Sequence, residues 1–258
     1  MKFSVSEQEV SSIHRDLEKI FLVLEKHPVF KNPYFDCLQN LKWNKDTFEL
    51  HRANFFYRTE LTVKAIAHVC ARAAAEEDQD TLILFSYILN EECGNGSLKN
   101  CHAMLMEQAH NLYGKVEYSL EPLLIKDAKK HRFIIEETEQ YRKKMYELIT
   151  SSYQCMLGVV MALEYHANKM LTVCREAFRS NLQHLTSSEY SSKVEIYFNC
   201  HVDNGVEERH SSDAKLCVFN NCHSINDLQE IKYGAEEAMK VQLNMWNALA
   251  KKTTELAN

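Results

Sequence analysis

Apolar residues recur at three- and four-residue spacing through most of the chain, the pattern expected of helices that bury one face. The first such segment ends before Pro28 and Pro33, and the next runs from Asp46 to about Ala75. A loop around Asn32 to Leu41 is predicted between them because prolines stop a helix. The N-terminal third is therefore expected to be helical, with one irregular connection.

The middle of the chain continues this pattern. An apolar segment over Leu82 to Leu89 ends at the break Asn90 to Gly96, whose two glycines must terminate or redirect a helix. Another helix is expected to start near Ser97. Two long amphipathic helices are predicted over Asp127 to Ile149 and over Tyr153 to Leu185.

The C-terminal part predicts one or two helices over Val194 to Cys222, interrupted at Asp203 to Gly205. Asp227 is a good N-cap for a final helix to about Leu256. No linker or internal repeat marks a boundary. The pattern thus predicts an all-α fold with a single domain over residues 1–258, a helical bundle of about seven to nine helices.

Composition agrees with long helices. The 258 residues are 45% hydrophobic but contain only six glycines and three prolines, too few for the turns of a strand-rich fold. The formal net charge of −6 provides no basic surface, so nucleic acid is not expected as a partner. No stretch approaches about 18 consecutive apolar residues, so no membrane span is expected.

The nine cysteines include no C-x-x-C pair, and the first ten residues contain no apolar signal-peptide core. A reducing, cytoplasmic location is therefore expected, with most of the cysteines packed as small apolar side chains.

Carboxylates and imidazoles occur at three places where they could meet. Glu92 and His102 flank the glycine-rich break, although each could equally be a helix cap or a surface residue. Glu164 follows an unbroken apolar run, where a carboxylate is costly unless it is paired, metal-bound or at the solvated edge of the helix.

The third place is the segment around Asn204 and Gly205. Glu207 and His210 lie about 60° apart on adjacent helical turns, with Asp203 on the same face. His201 is about half a turn out of phase with His210 and joins this face only if the backbone unwinds near Gly205. A solvated, charged helix face is the alternative interpretation.

A mixture of carboxylates and imidazoles without a required thiolate suits iron or manganese better than structural zinc, and three or more carboxylates could hold two ions. The segment Asn90-Glu91-Glu92-Cys93-Gly94-Asn95-Gly96 with His102 resembles the N-x-E-x-G-x-G-x5-H signature of heme-oxygenase-like diiron oxidases and oxygenases. Glu164 stands where that family has its second glutamate. Tyr197-Phe198 followed by His201, Glu207 and His210 resembles the third cluster, with two residues inserted and Glu in place of the usual Asp.

This resemblance extends from about His51 to Leu249 and implies a heme-oxygenase-like fold, related to thiaminase II, the pyrroloquinoline-quinone synthase and a death-domain-associating protein. It implies six metal ligands, with Asp203 as an alternative to His201: Glu92, His102, Glu164, His201, Glu207 and His210. The implied cofactors are two Fe ions, or Fe with Mn, with O2 as co-substrate and no heme. The implied enzyme oxidises a small-molecule substrate of the amine, amino-acid or fatty-acid type, and a homodimer is compatible with it.

The sequence is compatible with three other functions. Glu107-x2-His110 and Glu207-x2-His210, with Glu60 and Glu164, form the ligand pattern of a ferritin-like diiron protein. The same helical fold serves metal-free hydrolases like thiaminase II, which use a cysteine nucleophile and a glutamate. A non-catalytic interaction module would keep the helices without needing the ligand set.

Overall fold

All the regular structure is helical in residues 7–257, the part of the chain that the computed structural model describes. Residues 1–6 and residue 258 lie outside the described part. The expectation about a signal peptide and the predicted domain bounds include these residues. Ten helices have eight residues or more, and α8 is a single turn: α1 Glu7–Leu24, α2 Pro33–Asn40, α3 Lys45–Ala75, α4 Gln79–Glu92, α5 His102–Tyr118, α6 Glu136–Ile149, α7 Tyr153–Ser180, α8 Ser187–Glu189, α9 Glu195–Val202, α10 Val206–Asn220 and α11 Ile225–Ala257.

The loop predicted around residues 32–41 is wrong, since these residues form α2. Asn32 is its N-cap and accepts hydrogen bonds from the backbone of Tyr34 and Phe35, while Pro33 occupies the first helical position. Proline is well suited to that position because the missing N–H needs no partner there. Pro33, interpreted from the sequence as a helix stop, therefore starts a helix. With α2, the described residues contain ten helices of eight residues or more, one more than the largest predicted number.

Two predicted boundaries also differ. The segment Ile125–Lys130 is a 3₁₀ helix, so α6 begins only at Glu136. α7 ends at Ser180 rather than at residue 185, because Glu117 of α5 accepts hydrogen bonds from the backbone N–H groups of residues 183–185. That carboxylate holds the following turn in a non-helical conformation.

Helix α7 occupies the centre of the bundle and contacts α2, α6, α9, α10 and α11. Its residues 155–164 are buried without interruption, as expected for a helix that is surrounded by others on all sides. The central position of α7 in the bundle therefore explains the apolar run before Glu164. Among the described helices, none is long and apolar enough to cross a membrane.

The closest approach between α7 and α11 involves two glycines. A Cβ on Gly158 would lie 2.1 Å from the carbonyl oxygen of Ile231, and a Cβ on Gly234 would lie 2.1 Å from that of Cys155. The two backbones are thus in direct contact, and neither glycine position has room for a side chain. This contact holds the helix that carries Glu164 against the longest helix of the bundle.

We expect the substitution Gly158→Ala to lower the free energy of unfolding by at least about 2 kcal/mol, because the added methyl group meets backbone rather than a flexible side chain. Urea denaturation of the metal-free protein measures the change. Ser212→Ala, which places alanine at an exposed position of α10, is the control and should change stability by less than about 0.5 kcal/mol. Equal stability of the two variants would contradict the close contact.

Candidate metal centre

The six side chains singled out in the sequence lie together inside the bundle. Glu92 is the last residue of α4 and His102 the first of α5, while Glu164 belongs to α7. His201 belongs to α9, and α10 carries Glu207 and His210. Each of the six residues is at most 8% exposed, so none is a solvated surface group. We refer to these six residues as the carboxylate–imidazole cluster.

The glycine-rich break joins the first two members of the cluster. Gly94 and Gly96 adopt left-handed backbone conformations with φ of +76° and +81°. A Cβ on Gly94 would lie 2.4 Å from the backbone nitrogen of Cys101, so only glycine allows the chain to return this closely. The return places Nδ1 of His102 3.1 Å from Oε1 of Glu92.

A second break brings His201 into the cluster. Asn204 and Gly205 adopt left-handed conformations with φ of 60° and 67°, which separates α9 from α10. His201 would be out of phase on a straight helix, but across this break its Nδ1 lies 2.6 Å from Oε1 of Glu207. Asp203, the alternative to His201, is paired with Arg175 at 2.9 Å instead and lies outside the cluster.

Two groups of metal-compatible donors occur among the described residues, each with its ligand atoms within 4.8 Å of one another. One group contains His102, Cys200 and His201, and the other contains Glu164, Glu207 and His210. The hydrogen bond between His201 and Glu207 joins the two groups. Cys200 is not among the ligands expected from the sequence, because a cysteine next to a candidate ligand gives no sign of where its sulfur lies.

Glu91 contacts the cluster in a way that the sequence interpretation missed. Its carboxylate accepts a hydrogen bond from Nε2 of His210 at 2.8 Å and two from Arg209 at 2.9 and 3.0 Å. A carboxylate only accepts, so Nε2 of His210 carries the proton of this hydrogen bond, and Nδ1, 3.7 Å from Glu164 Oε2, is the ring nitrogen that faces the cluster. Metal-binding histidines are typically oriented in this way. The only sign of this role in the sequence is that Glu91 is a second acidic residue, directly before Glu92.

Burial makes the charges of the cluster strongly interdependent. Burial, together with the negative charges of Glu207 and Glu92, raises the pKa of Glu164 well above its usual value. Burial also acts against the charged form of Glu92, yet the hydrogen bond from His102 and the nearby imidazoles lower its pKa. Three buried carboxylates at one place favour a bound proton or a bound cation.

The pKa of His102 is raised to about 11. Burial works against this, but hydrogen bonds with Cys200 and Glu92 and the negative charge of Glu92 outweigh it. The protonated imidazole therefore supplies part of the positive charge that the cluster requires without a metal.

The residues present fit a pair of divalent transition-metal ions. Two ligand atoms at right angles on one ion, each about 2.1 Å away, are about 3.0 Å apart, and the ligand contacts of the cluster span 2.6 to 3.7 Å. Three carboxylates and three imidazoles are oxygen and nitrogen donors of the kind that iron and manganese bind in proteins.

A cavity of about 220 Å³ adjoins the cluster. Five of the six cluster residues line it, all except His210, and apolar side chains of α5 and α7, including Met106, Leu163 and Leu171, form much of the remaining wall. A small molecule in this cavity would therefore contact both the cluster and a largely apolar surface.

The ferritin-like ligand set is not brought together. Glu60 is paired with Lys64 and Arg142, and Glu107 accepts a hydrogen bond from the backbone of Ile125. His110 bonds the carbonyl of Met106 and stacks against aromatic rings. Within the described part of the chain, the metal-compatible groups include none of Glu60, Glu107 and His110.

Comparison with known proteins supports the fold alone. No protein-family model and no curated protein matches the sequence. The structure is similar to two crystal structures of a CADD-like protein of unknown function from Nostoc punctiforme, with TM-scores of 0.70 and 0.68 at 13% sequence identity. The matches cover 95% and 96% of this chain and 99% and 97% of those chains. The all-α bundle is thus a known architecture over nearly the full length of the chain.

We expect Glu91→Ala to weaken metal binding about 10- to 100-fold, because His210 loses the acceptor that fixes its orientation. Competition with a chromophoric chelator measures the affinity. Arg209→Ala removes the other partner of Glu91 and leaves the His210 bond intact, so it should change the affinity less than about fivefold. Equal losses of metal affinity in the two variants would show that the Glu91–Arg209 ion pair, and not the hydrogen bond to His210, supports metal binding.

Stability of the metal-free protein should depend on pH through His102. Its pKa in the folded protein lies above that of an unfolded histidine, so the protonated ring stabilises the fold fully below about pH 6.5, and this contribution is lost as pH rises towards 11. We expect the stability difference between wild type and His102→Gln to shrink between about pH 7 and pH 10 in urea denaturation with chelator present. His223→Gln, at an exposed histidine, should show no such trend.

Proposed function

We propose that this chain is a non-heme diiron oxidase or oxygenase, or an Fe/Mn counterpart, that uses dioxygen to oxidise a small organic substrate. The observation that supports this most directly is the burial of three carboxylates and three imidazoles beside a largely apolar cavity. A charged group of this composition is costly in a protein interior unless metal ions compensate it. Bound here, two redox-active ions would supply the electrons that activate dioxygen.

The two donor groups suggest how the ligands divide. His102 and His201 of the first group, with Glu92 hydrogen-bonded to His102, would hold one ion, while Glu164 and His210 of the second group would hold the other. Glu207 belongs to the second group and also hydrogen-bonds His201 of the first, so it would contribute a ligand beside both.

The protein contributes charge, orientation and exclusion of water. The raised pKa of Glu164 favours a proton on this carboxyl in the metal-free protein, and metal binding would favour release of that proton because ligands bind deprotonated. Glu91 orients His210 through Nε2. The apolar residues of α5 and α7 that line the cavity keep bulk water away from the reacting groups.

The proposed location is cytoplasmic. All nine cysteines lie in the described part of the chain, and all are free thiols there. Thiols persist in a reducing compartment. Small-molecule substrates of the amine, amino-acid and fatty-acid type remain the proposed classes.

A metal-free hydrolase is the second candidate, because Cys93 and Cys101 line the same cavity as Glu92 and Glu164. Such an enzyme would keep its activity after chelation. A non-catalytic interaction module would not need the six side chains to converge, and their convergence favours an enzyme.

Anaerobic reconstitution tests the proposed function. We expect the wild-type chain to bind about two ferrous ions and to show a transient visible absorption on exposure to oxygen. Glu164→Gln and His102→Gln each remove a ligand and should bind about one ion or fewer. Metal analysis and stopped-flow absorption measure the two effects, and loading with mixed iron and manganese determines the preferred pair.

The matched controls are the residues of the ferritin-like pattern. Glu60→Gln and His110→Gln should keep about two ions, provided that circular dichroism shows them folded. Loss of iron in the controls rather than in the cluster variants would favour the ferritin-like assignment. Absence of metal uptake by the wild-type chain would overturn the proposal in favour of the hydrolase.

A further inference from the structure

The cavity wall contains a buried cation that has no carboxylate partner. Arg58 of α3 lines the cavity and is 4% exposed. Its Nη2 donates a hydrogen bond to Oε1 of Gln242 at 3.1 Å, and its guanidinium lies 5.4 Å from the ring of Trp246. Within residues 7–257, no carboxylate forms a salt bridge with Arg58. A buried guanidinium without an anion is costly, and contacts with an amide and aromatic rings compensate it only in part.

Three buried hydrogen-bond donors at and around Arg58 have no partner among the described residues. Nε of Arg58, Nε2 of Gln242 and Nε1 of Trp246 are buried and have no hydrogen-bond partner among the described residues. The hydroxyl of Thr59, a neighbouring residue of the cavity wall, is also buried without a partner. A group that satisfies such donors must be an acceptor, and one that compensates the guanidinium must also be negatively charged. Water meets the first condition but not the second.

The cavity wall therefore carries charges of both signs. The carboxylates of the cluster belong to α4, α7 and α10, whereas Arg58 belongs to α3. Glu60, the remaining acidic residue of the wall, is already paired with Lys64 and Arg142. Apolar side chains, including Val63, Met170 and Leu171, line the wall as well. An amphipathic molecule with one anionic end matches this distribution.

Size limits the ligand further. An engineered cavity of about 150 Å³ holds benzene, so a cavity of about 220 Å³ has room for roughly nine non-hydrogen atoms by proportion. One arginine matches a single negative charge, and its planar fork suits the two oxygens of a carboxylate.

We propose that Arg58 binds the carboxylate of a small monocarboxylic acid whose apolar part extends through the cavity towards the cluster. The inference that this acid is the substrate rests on the proposed function. The inference that Arg58 forms an anion site does not. Among the proposed substrate classes, it selects carboxylic acids, including amino acids, over simple amines.

Calorimetric titration of the chelator-treated full chain with hexanoate tests the site. We expect hexanoate to bind, and its Kd to rise about 10- to 100-fold in Arg58→Gln, because a hydrogen-bonded charge pair is lost. Gln242→Glu keeps the size of the side chain and the acceptor for Arg58, but supplies the missing carboxylate. We expect it to weaken hexanoate binding equally without loss of thermal stability, so the test holds even where Arg58→Gln fails to fold.

Three controls separate the possible results. Arg132→Gln, at an arginine that is paired with Glu49 away from the cavity, should leave the Kd unchanged, and 1-hexanol should bind wild type and Arg58→Gln equally. Wild type that does not bind hexanoate, or that binds it as tightly as both cavity variants do, overturns the anion site. Tighter binding of inorganic phosphate than of hexanoate overturns its assignment to carboxylates.

Iron content distinguishes this inference from the proposed function. Arg58→Gln and Gln242→Glu leave the cluster intact, so both should still take up about two ferrous ions. Iron uptake without Arg58-dependent hexanoate binding overturns the anion site alone. Arg58-dependent binding in a chain that takes up no iron overturns the oxidative function and leaves the anion site standing.

Discussion

Charge compensation inside an apolar bundle is the constraint on which the arrangement of this protein depends. Three carboxylates and three imidazoles occupy a region from which water is nearly excluded. In the metal-free chain they compensate one another through the Glu92–His102 and His201–Glu207 hydrogen bonds, and the raised pKa of Glu164 favours its uncharged form. Under the proposed function, the atoms that make these contacts in the metal-free fold are the same atoms that would bind the metal ions.

Two short non-helical breaks create this geometry. The glycine-rich segment between α4 and α5 returns the chain on itself, and the break at Asn204 and Gly205 rotates α9 relative to α10. In each case, a left-handed backbone brings together side chains that a continuous helix would separate. The long helices supply a rigid frame, with α7 and α11 in backbone contact, and the breaks determine where the reactive groups lie within it.

Much of this could be predicted from the sequence, and the failures have physical causes. Periodicity located the long helices, and the need for unwinding at Gly205 followed from the phase of His201. The loop predicted in place of α2 was wrong because proline acts as either a stop or a start, depending on the residue before it. Glu91 and Arg58 were not identified because their significance lies in contacts with α10 and α11, far away in the chain. Pairing across such distances leaves no periodic signal.

The tight return at Gly94 limits which residues this position can accept without moving Glu92 and His102 apart. Its α-carbon faces the backbone of Ser97 and Cys101, so any larger residue must push α5 away from α4 and separate Glu92 from His102. Under the proposed function, a chain with a larger residue at this position would lose metal binding even when all six candidate ligands are present. The residue at this one non-coordinating position would then indicate an intact site better than the number of histidines and glutamates does.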